Sequence, residues 1–187
     1  MMRPRKHARD PPFFTRAFRR RSTVKNVSDE EFDVVGLWRQ DLADLGGGKW
    51  LVTGGYSNIT SATKIYDEAT NTFTAGPTLG STRRASTVVS LGGGRVLIAG
   101  SASVSMVGGV PNSFLAEVCT ATACTPLGSA APRSLHNSSA VVLASGKVLF
   151  MFSGISTLKL NPSTGAYTAG EDRAIDTSPG RAYLLSS

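Results

Sequence analysis

Three times along the chain a short run of small and apolar residues leads into a glycine-centred break, and a second apolar run leaves it. The breaks read Leu45-Gly46-Gly47-Gly48-Lys49-Trp50-Leu51-Val52-Thr53-Gly54-Gly55, Leu91-Gly92-Gly93-Gly94-Arg95-Val96-Leu97-Ile98-Ala99-Gly100-Ser101 and Leu143-Ala144-Ser145-Gly146-Lys147-Val148-Leu149-Phe150. Ser86-Thr87-Val88-Val89-Ser90 and Ser138-Ser139-Ala140-Val141-Val142 precede the second and third breaks, and such β-branched, small-residue runs predict strands. A primed hairpin turn needs positive φ, which glycine adopts at little cost, and the Lys or Arg that follows keeps the turn in water. The continuous apolar run Val148 to Phe152 predicts a strand packed on both faces.

Gly48, Gly94 and Gly146 lie 46 and 52 positions apart, the length of one four-stranded sheet with its loops and too long for an ankyrin, tetratricopeptide or leucine-rich unit. A second element recurs about twenty residues later. Asp67 to Phe73 and Asn161 to Tyr167 have equal spacing and share Asp or Asn, Thr, Asn or Gly, and an aromatic. Asp67 and Asn161 are expected to accept backbone N–H groups within their own turns, with Asn71 and Gly165 in the left-handed conformation that closes them. The reading is all-β, with three blades of up to four short antiparallel strands at about 31–77, 83–127 and 135–169. A fourth blade starts at 178–187, where Arg181-Ala182-Tyr183-Leu184-Leu185 reads as an opening strand.

A strand ending in Leu, a G-[KR]-V-L-x-x-G-G hairpin, a long loop and an x-Y-D-x-x-T-N-x-F turn together resemble the kelch repeat of β-propellers, in the bacterial variety related to the propeller of galactose oxidase. The resemblance covers roughly residues 40 to 185. It departs from the family in three respects. The double glycine is complete only at Gly54-Gly55. The opening Arg-x-x-His is Arg83-x-x-Ser86 in one blade and the out-of-register Arg133-x-x-His136 in another. Three blades stand where such propellers have six or seven. Blades bury their faces against neighbours in rings of about four to eight, so an incomplete kelch-like propeller implies further blades, in trans or in a longer chain.

Charge changes this picture little. Nine basic residues against Asp10 give residues 1–25 a charge of +8, and the remaining 162 residues carry −1. The segment 1–28 therefore reads as a basic tail: a disordered extension, an organelle-type presequence, or a binder of acidic lipid or nucleic acid. A nucleic-acid partner is not implied for residues 29–187, which form the propeller segment and lack a basic excess. No apolar stretch approaches the roughly 18 to 20 residues of a membrane span. No secretory signal is visible, and the compartment stays open.

Candidate chemistry is sparse. His7 and His136 are the only histidines and Cys119 and Cys124 the only cysteines, so no multi-histidine or four-cysteine metal site is available and no cofactor is implied. The copper site of galactose oxidase, with two His and a Tyr cross-linked to Cys, cannot be assembled inside these repeats. The acidic clusters Asp29-Glu30-Glu31-Asp33 and Glu171-Asp172-Asp176 read as solvated. Asn26, Asn58 and Asn137 head glycosylation tripeptides that decide nothing. Cys119 and Cys124 flank a four-residue loop where the other blades carry the Asp-to-aromatic turn. They are placed either to bridge, which would argue for an oxidising compartment, or to remain two half-buried thiols.

The loops between second and third strands and the connections between blades emerge on one rim. They carry Tyr56, Asn58, Arg83, Arg84, Arg133, His136 and the long Ser101 to Asn112 loop. Arginines there favour carboxylates of a protein or carbohydrate ligand, or else hydrogen-bond carbonyls at the blade junctions. The leading expectation is a non-catalytic segment binding a protein or carbohydrate. The alternative is a fragment of a galactose-oxidase-like or other carbohydrate-active propeller enzyme whose catalytic residues lie elsewhere.

Overall fold

The computed structural model describes residues 41–54, 59–102, 105–136, 138–152 and 156–170. The basic tail, the expected opening of the first blade at 31–40 and the start of a fourth blade lie outside the described residues, as do both acidic clusters. The architecture is all-β, with no α-helix among the described residues.

Three four-stranded antiparallel sheets follow one another in blade-like, up-and-down order. The first holds β1 (Asp41–Gly46), β2 (Lys49–Thr53), β3 (Thr63–Asp67) and β4 (Thr72–Ala75). The second holds β5 (Thr87–Gly92), β6 (Arg95–Ala99), β9 (Ala116–Cys119) and β10 (Cys124–Pro126). The third holds β11 (Ser139–Val142), β12 (Val148–Met151), β13 (Thr157–Leu160) and β14 (Tyr167–Ala169). A two-stranded ribbon, β7 (Met106–Val107) and β8 (Val110–Pro111), is inserted between β6 and β9.

Local chemistry accounts for the turns. Gly46 pairs with Lys49 and Gly92 with Arg95, leaving Gly47-Gly48 and Gly93-Gly94 as two-residue loops, all four glycines at positive φ. A primed hairpin requires that geometry. The third turn uses a longer solution in which Leu143 N–H donates to Lys147 O at 2.8 Å and only Gly146 has positive φ. In the second hairpins Asp67 Oδ1 accepts from Ala69 N–H at 2.9 Å and Asn161 Oδ1 from Ser163 N–H at 3.0 Å. Asn71 (φ 55°) and Gly165 (φ 73°) close those turns in the left-handed region.

Pleat parity divides each sheet into a face toward its successor and a face toward its predecessor. Ala43, Leu45, Leu51 and Ile65 of the first sheet pack against Val88, Val96, Ile98 and Cys119 of the second. On the other side, Val89, Leu91, Leu97, Ala99 and Ala116 meet Ala140, Val142, Val148, Phe150, Leu158 and Leu160 of the third. The run Val96-Leu97-Ile98-Ala99 is therefore wholly buried, alternate residues serving opposite junctions. The expectation of burial on both faces holds for this middle sheet and not for Val148 to Phe152. Val148, Phe150 and Phe152 are buried, whereas Leu149 and Met151, on the face with no described sheet beyond it, are half-buried.

Candidate functional site

The two edges of the sheets differ in length of connection. The turns β1–β2, β5–β6 and β11–β12, with β3–β4, β9–β10 and β13–β14, are tight hairpins along one edge. Along the other edge run the longer β2–β3 and β6–β9 connections and the segments that lead into the second and third sheets. Arg83, Arg84, Arg133 and His136, four of the six rim residues singled out from the sequence, belong to this second edge. Tyr56 and Asn58 lie outside the described residues; the other four are placed.

Arg83 is 1% exposed. Its Nε donates to Glu117 Oε1 at 2.7 Å, and its Nη1 donates to Gly100 O at 2.9 Å and Leu115 O at 3.1 Å. Glu117, also 1% exposed, turns Oε2 to the Gly80 N–H at 2.8 Å. Arg83 thus takes the alternative place open to the rim arginines, hydrogen-bonding carbonyls at a sheet junction, with a buried carboxylate as its ion partner.

The backbone shows why the sequence motif slipped. Arg83 N–H donates to Thr60 O at 2.8 Å, and Leu135 N–H donates to Ser113 O at 2.7 Å, three residues before the third strand in each case. Arg83 and Leu135 are thus equivalent, as are Glu117 and Leu158, which pair with Ile98 and Phe150. The second sheet meets its lead-in through an ion pair; the third uses two leucines, both buried.

Arg84 sits half-buried, its backbone N–H on Ser101 Oγ at 3.0 Å and Nη2 on Ala102 O at 3.4 Å. His136 takes the equivalent place before the third sheet, half-buried, with Nδ1 enclosed and without a hydrogen bond to any described residue. Arg133 is exposed; its guanidinium lies 3.9 Å from the centre of the Phe152 ring and donates to Ser156 Oγ. A guanidinium over an aromatic face is held in one orientation while its outer edge stays in water.

The long connection after Gly100, expected to be a loop, contains a ribbon. Gly108-Gly109 turns the β7–β8 ribbon, whose Met106 and Val107 are 57% and 44% exposed. Asn112, fully buried, fastens the ribbon: its N–H donates to Ser105 O at 2.9 Å and its Nδ2 to Thr82 O at 2.8 Å. Gly-Gly between Met106-Val107 and Val110 was the available hairpin signal. For Glu117, the signal was one carboxylate in the apolar run Ala116-Glu117-Val118-Cys119.

At the hairpin edge Cys119 and Cys124 are bridged, directly opposite each other on β9 and β10 with Cα atoms 4.0 Å apart. Their place in the sheet is that of the Tyr66–Phe73 pair in the first sheet and Leu160–Tyr167 in the third. Glu117, Cys119 and Cys124 bring their ligand atoms within 4.8 Å, but the sulfurs are joined and the carboxylate is held by Arg83 and Gly80. A hydrogen bond from Lys49 and the Ala69 N–H hold the Asp67 carboxyl below its usual range. Burial pushes the Tyr167 phenol up to about 12. No helix among the described residues is long and apolar enough to cross a membrane. Comparison with protein-family models and with curated proteins returns no match.

Proposed function

We propose that the chain is a kelch-like propeller segment that captures a protein or carbohydrate ligand without chemistry, through the loops on its long-connection edge. The observation that carries this reading is the presence, on that one edge, of both the solvent-facing Arg133 guanidinium and a ribbon presenting Met106 and Val107. A fixed cation and exposed apolar side chains on the same edge suit a ligand that carries both a carboxylate and apolar groups, as in an acidic peptide or an acidic sugar. Arg84 and His136, half-buried at equivalent positions, would line the floor of such a contact.

The test is capture of acidic peptides and acidic glycans from displayed libraries by the immobilised intact chain. Arg133→Ala should weaken capture about tenfold or more, the scale of one lost charge-assisted hydrogen bond. Met106→Ser with Val107→Ser should lower it further. Capture unchanged in both variants would overturn the reading.

A further inference from the structure

The two outer faces of the three-sheet array are complementary halves of a junction that the chain already forms twice. Leu51 and Leu97 stand at equivalent positions facing the next sheet, and both are fully buried. Their counterpart in the third sheet, Leu149, is only half-buried, with Val141 and Met151 half-buried beside it on the same face. On the side facing a preceding sheet, Val96 and Val148 are fully buried, whereas their counterpart Trp50 is only half-buried, as are Tyr66 and Phe73; on the same face Leu42 is 55% exposed and Val52 is buried.

The first sheet's face is prepared for burial. The Trp50 indole N–H already donates to Glu68 Oε1 at 2.6 Å, and the Tyr66 hydroxyl to Asn71 Oδ1 at 2.8 Å. Tyr66 and Phe73 stack with ring centres 4.9 Å apart. Covering these rings would strand no polar tip, which is the usual obstacle to burying Trp and Tyr. Lys159 occupies the third-sheet position of Ile65 and Val118, where it would bring a cation to the aromatic face.

We propose that a second copy of this chain occupies these faces, the third sheet of each copy packing on the first sheet of the other. The described residues of each chain contribute three four-stranded sheets, so two copies place six of these around one axis, within the four to eight of closed propellers. Both junctions are then the same head-to-tail contact, and a two-fold rotation closes the ring rather than extending a filament. This surface lies on the sheet faces and is independent of the rim reading, so Arg133→Ala should leave assembly unchanged.

Sedimentation of the full chain over a concentration series should give twice the 19.6 kDa mass. A monomer at every concentration, or open-ended polymers, would overturn the proposal. Trp50→Arg and Leu149→Arg alter opposite faces, so each alone should be monomeric, with dissociation strengthened at least a hundredfold. A mixture of the two should recover a one-to-one pair through the single intact junction. Loss of pairing in only one of the variants, or no recovery in the mixture, would contradict head-to-tail contact. Should either arginine variant fail to fold, Leu42→Cys and Val141→Cys provide a second measurement. These positions match Val88 and Ala43 of the first internal junction. Mixed oxidation of the two single variants should yield a covalent pair of one chain of each kind. Covalent pairs forming only within each variant would rule the arrangement out.

Discussion

Arg83 with Glu117 and Leu135 with Leu158 are two solutions to one packing position, polar before the second sheet and apolar before the third. Removing one member of a buried pair strands the other, at a cost of about 3–5 kcal/mol, whereas replacing both with apolar groups is far milder. Arg83→Leu should therefore destabilise strongly in urea unfolding, and Arg83→Leu with Glu117→Leu should cost less than either single change; additive losses would refute the coupling. Tyr167 supports a second expectation. Its enclosed hydroxyl makes no hydrogen bond to a described residue, and its folded-state pKa is raised from 10.0 to about 12. A raised pKa stabilises the fold fully below the unfolded value, so stability should fall as pH climbs from about 10 to 12. Tyr167→Phe should flatten that decline and gain about 1 kcal/mol at neutral pH, read by denaturant titration at each pH. At this scale the sequence was least transparent: arginine is ordinarily a surface residue, and its buried carboxylate partner stood 34 positions away.

Turns were the most legible elements, because Gly47-Gly48, Asp67 and Asn161 carry their conformations in their own side chains or the lack of one. The β9–β10 hairpin was readable for the same reason, four residues between cysteines leaving little choice of partner. What stayed hidden depended on contacts between segments remote in sequence. Gly100 is an instance: its φ is +70°, and a Cβ there would meet the Leu135 carbonyl carbon at 2.7 Å, so the second sheet's end is pressed onto the third sheet's lead-in. Gly100→Ala should cost about 1–3 kcal/mol and loosen that junction before the first, as hydrogen exchange would register. In the β9–β10 hairpin a covalent link replaces the cross-strand aromatic or leucine contacts of the other sheets. Closing so short a loop contributes about 2 kcal/mol on a chain-entropy estimate, and reduction should lower the unfolding midpoint accordingly.

Over the whole array, burial is graded by neighbours. Leu51, Leu97 and Leu149 share one position in successive sheets, the first two sealed and the third half-open. At high dilution Leu51→Ala and Leu97→Ala should each cost about 3 kcal/mol or more, and Leu149→Ala less than half of that; equal losses would mean that position in the array does not govern burial. The repeat spacing made three sheets legible, but which residues would face which neighbour, and which junction would be polar, could not be read from the sequence. That asymmetry has a consequence for assembly order. A third sheet docked where the second belongs would set Leu158 against an unmated guanidinium, and the reverse exchange would leave a carboxylate facing Leu135. Sheets of nearly identical outline are thereby kept from trading places, much as unlike keys keep two connectors from being cross-plugged.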